Sequence, residues 1–269
     1  MPTRRILFLG DVCGAVGRSA VRTTLADLRP RLAVDFVIAN GENAAAGYGI
    51  SPRVAEELFQ SGVDCITTGD HAFDRRESWP FYGTEPRLLR PLNFPPEAPG
   101  RGAAVYEAAG CRIGVINLLG RAFMRLADCP FHRVRSALAE LRSVTPIVVV
   151  DFHAEATAEK QALGWFLNGQ VSAVIGTHTH VQTADERILS EGTAYITDAG
   201  MCGAFDSILG MKKELSLRRI IEGVPVRLTA ALDDRRINGV LLEVDETSGR
   251  ARTITRLQEP APGSSGLEE

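Results

Sequence analysis

Nowhere in this chain of 269 residues do two cysteines form a CxxC pair, and the five present (Cys13, Cys65, Cys111, Cys129, Cys202) keep no regular spacing. That excludes a disulfide framework and a cysteine zinc knuckle as organising devices, and a reducing compartment is expected. Long apolar runs are missing as well. No stretch reaches the roughly 20 residues of a membrane helix. The apolar run after MPTRR is cut by Gly10 and Asp11, short of the roughly 7–15 residues of a secretory signal core. An excess of charge of one sign is also absent. A formal net charge of −3 gives no global basic field, which argues against tight nonspecific binding of nucleic acid. No repeat recurs at a fixed period. These absences leave a soluble cytoplasmic protein with no membrane partner. At 45% hydrophobic residues it can bury a sizeable core, and a single domain over residues 1–258 is expected, with a disordered tail over 259–269.

What is present is an alternation of short β-branched runs with amphipathic, helix-period segments, the pattern of βα units. RILFLG reads as a first strand and VGRSAVRTTLADLRPRL as a helix ending near Pro30. DFVIAN is a second strand. SPRVAEELFQSG is a helix with Ser51 as N-cap, Pro52 at its first position and Gly62 at its close. DCITT is a third strand. AAVYEA and RIGVINLL form an antiparallel pair around Ala109-Gly110. FHRVRSALAELRS, TAEKQALGWFLNG and KKELSLRRIIEG are helices; PIVVVDF, SAVIGT, TAYITDA, VRLTAAL, INGVLLEVDE and ARTITRLQ are strands, the last two joined by a Thr247-Ser248-Gly249 turn.

Most of the apolar strands stop at residues that can bind metals. LFLG ends at Asp11, VIAN at Glu42 and Asn43, CITTG at Asp70 and His71, VVVDF at His153, and VIGT at His178 and His180. The carboxyl ends of strands in an α/β sheet face a common crevice, so these residues, distant in sequence, are expected to converge. Of the five histidines, four (His71, His153, His178, His180) stand at such ends; His132 reads as a capping or surface residue. A lone histidine after a strand is ordinary loop chemistry, but four with three carboxylates and an amide point to a metal site. Nitrogen and oxygen donors of this kind suit Mn, Fe, Zn or Co rather than Ca. The turn GAVGR after Asp11 offers a second element, in which Arg18 could hold a phosphate oxygen at a helix N-terminus. Tyr48 and Phe73 are candidates to stack a base, with ordinary packing the simpler reading.

The order GD, GEN, GDH in the place of GNH, a lone His after a strand, then GTHTH resembles the calcineurin-like metallophosphoesterases. The longer stretches GDVCGAVGR, ANGENAAAGYGI, NLLGR, TDAGMCGAFDSILGM and EGVPVRL resemble the YmdB-type branch of that superfamily over nearly the whole chain. The resemblance implies an α/β fold, a four-layer α/β/β/α sandwich, with a two-metal centre and phosphodiesterase activity on 2′,3′-cyclic nucleotides. It implies that Asp11, Glu42, Asn43 and His180 hold one metal, that Glu42 bridges to a second held by Asp70, His153 and His178, and that His71 is the catalytic proton donor. It implies two ions, iron first and manganese as the common alternative.

Two such ions would supply a nucleophile for attack on phosphorus at neutral pH, while His71 would protonate the departing ribose oxygen. The expected partner is a small phosphodiester or cyclic nucleotide, not a long nucleic acid. The oligomeric state is left open, a homo-oligomer included. A broader phosphatase or nuclease on the same centre, and a regulatory metal-binding protein with little turnover, are the competing readings; His71 argues against the last. Cys13 stands where many metallophosphoesterases carry a histidine. Asp198 and Asp206 are expected to support the site from behind, and Asp74 to brace the turn after His71. Asp70 departs from the family's Asn and removes the net positive charge the centre would otherwise keep. It is expected to favour trivalent iron, to raise the pKa of the bridging water, or to weaken binding of anionic esters.

Overall fold

In the computed structural model, residues 2–262 are described. The chain runs through β1 (Thr3–Val12), α1 (Gly14–Arg31), β2 (Phe36–Asn40), α2 (Pro52–Gln60) and β3 (Cys65–Thr67). A short helix α3 (Ser78–Thr84) and a hairpin of β4 (Ala103–Ala108) and β5 (Cys111–Leu119) follow. Next come α4 (Pro130–Arg142), β6 (Val148–His153), α5 (Thr157–Phe166), β7 (Ala173–Thr177), β8 (Arg187–Ile188) and β9 (Ala194–Ile196). The last elements are β10 (Met201–Ala204), α6 (Lys213–Glu222), β11 (Arg235–Asp245) and β12 (Ala251–Pro260).

Local chemistry explains several boundaries. Ser51 Oγ accepts the Val54 N–H at the start of α2, Pro52 occupies its first turn, and Gly62 follows its end at φ 100°. The β4–β5 hairpin turns through Ala109 and Gly110 at φ 49° and 79°. Two successive left-handed residues make the tight turn whose twist matches the flanking strands.

Two six-stranded sheets result, in the orders β12-β11-β10-β1-β2-β3 and β4-β5-β6-β7-β9-β8. Alternation along β1 shows how they stack. Leu7 and Leu9 pack with Val21 and Leu25 of α1 and with Leu58 of α2. Ile6 and Phe8, on the opposite face, meet Val115, Val149 and Ile175 of the second sheet. The outer face of that sheet, with Val148 and Val150, is covered by Val134 and Leu138 of α4 and Leu163 of α5. Period-two side chains buried on both faces thus give the expected α/β/β/α sandwich. Each large apolar side chain so buried contributes about 1.5–3 kcal/mol.

β1, β2, β3 and β10 run parallel, as do β5, β6, β7 and β9. The register aligns Asp11 with Asn40 and Asn40 with Thr67 in one sheet, and His153 with Thr177 in the other. Both sheets therefore present their carboxyl ends at one rim.

Three segments differ from the sequence expectation. VRLTAAL forms no strand: both sides of β10 are already taken by β1 and β11, and the segment makes only an isolated bridge from Ala230 to Met211. TAYITDA is a strand only over Ala194–Ile196, because the chain then leaves the second sheet, turns at Gly200 (φ 80°) and enters the first as β10. β12 extends to Pro260, with Glu259 opposite Ile237, so pairing continues past the expected start of the tail. The rest of that tail, 263–269, lies outside the described residues.

Candidate metal centre

The rim gathers its side chains from five strand ends. Asp11 is the penultimate residue of β1 and fully buried, and Glu42 follows β2, also buried. Asp70 and His71 follow β3, His153 ends β6, and His178 and His180 follow β7. Gly69 is what lets these groups meet. A Cβ there would stand 2.2 Å from Glu42 Oε2 and 2.2 Å from His153 Cδ2, so any other residue would push the carboxylate and the ring apart. His178 and His180 adopt φ 102° and 64°. Such left-handed backbone at non-glycine residues costs on the order of 1–3 kcal/mol each and persists where surrounding contacts impose it.

Glu42, Asp70, His153 and His178 each offer one donor atom, and these atoms all lie within 4.8 Å of one another. His153 Nε2 is 2.9 Å from Glu42 Oε1, 3.5 Å from Asp70 Oδ1 and 3.0 Å from His178 Nδ1. Alongside this group, Asn43 Nδ2 reaches both Glu42 Oε1 (3.2 Å) and His180 Nε2 (3.1 Å). Asp11 Oδ2 accepts the His178 backbone N–H at 3.0 Å, and its Oδ1 lies 3.8 Å from His153 Nδ1. The other expected ligands are therefore contiguous with the four, without belonging to the same tight group.

The residues present fit a metal. Among the described residues, Asp11 Oδ1 and Asp70 Oδ1 are buried with no hydrogen-bond partner. Buried acceptors of this kind are rare unless something else satisfies them. Charge tells the same story. Burial pushes the Asp11 carboxyl up to about 6, against the pull of His180 and His153. For Glu42 and Asp70 burial acts the same way but is outweighed by His153, which holds both carboxyls below their usual range. Burial would lower His153 too, yet Glu42 and Asp70 raise it well above an ordinary imidazole. These opposed pulls mark a cluster of acids that demands positive charge, which a bound cation would supply.

Behind the donors lies a layer of which only Asp198 was expected. Asp151 accepts from Asn40 Nδ2 (2.9 Å) and from Thr177 Oγ1 (2.7 Å), and Thr177 Oγ1 also meets His153 Nδ1 at 2.9 Å. This leaves Nε2 of His153 facing the cluster. Asp198 accepts the Thr179 N–H and hydroxyl at 3.0 and 2.8 Å and pairs with the buried Lys160 Nζ at 2.8 Å, fixing the His178-Thr179-His180 turn. A buried lysine on a helix remote in sequence leaves no trace in spacing or periodicity; a partner such as Lys160 is visible only once α5 is docked.

Of the remaining single residues, Arg18 and Asp206 depart from the expectation, and the others keep to it or add to it. Asp74 does more than brace a turn: its Oδ2 accepts from His71 Nδ1 at 2.8 Å, while Oδ1 takes Arg125 Nη2 at 2.9 Å. Arg18 is committed to Glu57 Oε2 (2.8 Å) and the Ala44 carbonyl (2.6 Å), not held free for phosphate. Asp206 pairs with Lys213 at the surface (2.6 Å) instead of supporting the cluster. Cys13 Sγ lies 3.7 Å from His180 Nδ1. Phe73 packs among Trp79, Tyr82 and Phe94, whereas Tyr48 keeps an exposed ring edge-on to His71 at 5.3 Å. His132 is exposed near the start of α4, as expected.

Comparison with known proteins agrees with this architecture. The chain is 47% identical over 253 residues to a 2′,3′-cyclic-nucleotide 2′-phosphodiesterase of Bacillus subtilis (strain 168), covering 94% of this chain and 96% of that protein. A crystal structure of a hypothetical protein from Thermus thermophilus superposes with a TM-score of 0.90 at 41% identity, covering 96% of this chain and 100% of the other. A crystal structure of a novel phosphatase from Mycoplasma pneumoniae matches with a TM-score of 0.90 at 34% identity, covering 97% of this chain and 95% of that one. The profile of the YmdB-like protein family matches residues 7–257, and the chain belongs to that family.

Proposed function

We propose that this protein is a metal-dependent phosphodiesterase that opens 2′,3′-cyclic nucleotides or related small phosphodiesters, with His71 as proton donor. The observation that carries the reading is the convergence of Glu42, Asp70, His153 and His178 within 4.8 Å, with His71 held beside them by Asp74. The 47% identity to a 2′,3′-cyclic-nucleotide 2′-phosphodiesterase supports the substrate class.

Glu42, Asp70, His153 and His178 would hold one ion, and Asp11, Asn43 and His180, with Glu42 in common, a second. The nitrogen and carboxylate donors suit Mn, Fe, Zn or Co, and the family resemblance puts iron first, with manganese as the alternative. Bound there, the ions supply Lewis-acid polarisation of the phosphoryl oxygens and a nucleophile at neutral pH. The chain's own part is to position and move a proton. Asp74 accepts from Nδ1–H of His71, which fixes the ring and leaves Nε2 for the departing oxygen. The same contact keeps the ring in place while the proton leaves Nε2. Departure of the ribose 2′ oxygen leaves a 3′-phosphomonoester. The five unpaired cysteines suit a reducing, cytoplasmic setting, and among the described residues no helix is long and apolar enough to cross a membrane.

Incubation with 2′,3′-cAMP, with products separated by chromatography, tests this reading. It expects 3′-AMP, and a fall in kcat of about 10²–10⁴ for His71→Gln with bound metal retained. Unchanged kcat in that variant would remove His71 from the role, and 2′-AMP as product would mean that the 3′ oxygen departs instead of the 2′ oxygen.

A further inference from the structure

Asp70 places its two oxygens in different surroundings. Oδ1 faces the cluster, 3.5 Å from His153 Nε2 and 3.8 Å from His178 Nδ1. Oδ2 faces the mouth, 3.8 Å from His71 Nε2. A carboxylate where the family resemblance leads one to expect a neutral amide adds negative charge at the place an anionic phosphodiester must approach. Like charges a few ångströms apart, partly shielded from water, repel strongly enough to matter for binding.

The loop between β5 and α4 supplies an answering charge. Arg125 Nε lies 3.9 Å from Asp70 Oδ2 and Arg125 Nη2 lies 2.9 Å from Asp74 Oδ1. One guanidinium therefore touches both acids that flank His71 in the chain, and Asp74 meanwhile holds the His71 ring through its other oxygen. Arg125 is about half exposed at 51%, so it stands at the rim and not in the core. A guanidinium carries five N–H donors in a rigid fork, enough to serve a carboxylate and a phosphate together. An isolated surface pair is worth little. This one is shared between two acids beside a buried, charge-rich cluster, where solvent screening is weaker.

We propose that Arg125 is a specificity-determining residue for phosphodiester anions, offsetting the charge that Asp70 brings to the mouth of the centre. The proposal rests on the phosphodiesterase reading above and concerns who pairs with Asp70, a feature of this chain's own residues.

A double-mutant cycle tests it, with Arg125→Ala and Asp70→Asn made singly and together, and KM and kcat for 2′,3′-cAMP measured in each. Metal content and melting temperature are recorded for every variant. Arg125→Ala is expected to raise KM about tenfold with kcat within about threefold and metal content unchanged; Arg125→Lys should fall between. In the Asp70→Asn background the same substitution should raise KM clearly less than in wild type, because only the Asp74 charge is then left for Arg125 to offset. Equal effects of Arg125→Ala in both backgrounds, or no effect in either, overturn the proposal. Calorimetric titration of the purified protein with inorganic phosphate separates this from the activity itself. Phosphate affinity about tenfold weaker in Arg125→Ala supports the role even if no ester is turned over. Equal affinity in the two proteins contradicts it whatever the fate of the enzymatic reading.

Discussion

Asp11 shows what the centre costs the fold. It is fully buried, its Oδ1 has no hydrogen-bond partner among the described residues, and burial raises its carboxyl to about 6. A carboxyl raised on folding favours the folded state below its ordinary value near 3.9, and that contribution is lost as pH rises through 6. In chelated protein, wild type should therefore lose stability relative to Asp11→Asn between about pH 4 and pH 6. Urea unfolding of the two proteins across that range measures it, and a difference that stays flat with pH would show that Asp11 carries no such burden. Metal should abolish the effect by occupying the carboxylate. Gly69 belongs to the same accounting, since the 2.2 Å separations its Cβ would impose leave the donor group no room for a side chain.

At the level of elements, the strand ends that carry Asp11, Glu42, Asp70, His153 and His178 were legible because apolar runs that stop at polar residues mark the rim of a parallel sheet. The helices α1, α4, α5 and α6 were legible from their periodicity, and α2 from its Ser51 cap as well. What could not be read is how elements lock together. VRLTAAL has strand composition, but whether it pairs depends on whether a sheet edge is free, and β10 had none. α3 is short and contains Pro80 and Gly83, so propensity argued against it. Lys160 is the sharpest case: on a solvent-facing count it is an ordinary helix lysine, yet α5 docks it, 1% exposed, onto Asp198 at the crossing from β9 to β10. Lys160→Met should leave Asp198 buried without its cation and destabilise the protein by about 3–5 kcal/mol. It should also loosen the turn that bears His178 and His180 and so weaken metal retention. Denaturant unfolding and elemental analysis check both; a variant as stable as wild type would mean that Thr179 and the Gly200 N–H satisfy Asp198 unaided.

As a whole molecule, the protein places an apolar layer between two sheets and opens a single rim where their carboxyl ends meet, so fold and site are one construction. Sheet pairing brings together residues as far apart in the chain as Glu42 and His153, which is why their convergence could be expected from strand ends while the wiring behind them through Asp151, Asn40 and Thr177 could not. The central claim is that this rim is a metal-dependent phosphodiesterase centre, and metal removal followed by stepwise restoration tests it most directly. Chelated protein is titrated with ferrous or manganous ion while bound metal per chain and turnover of 2′,3′-cAMP are followed together. The account predicts no turnover without metal, activity rising in step with metal bound, and loss of both in His153→Ala. Full activity in the chelated protein, or metal bound at the rim with no turnover of the ester, would contradict it.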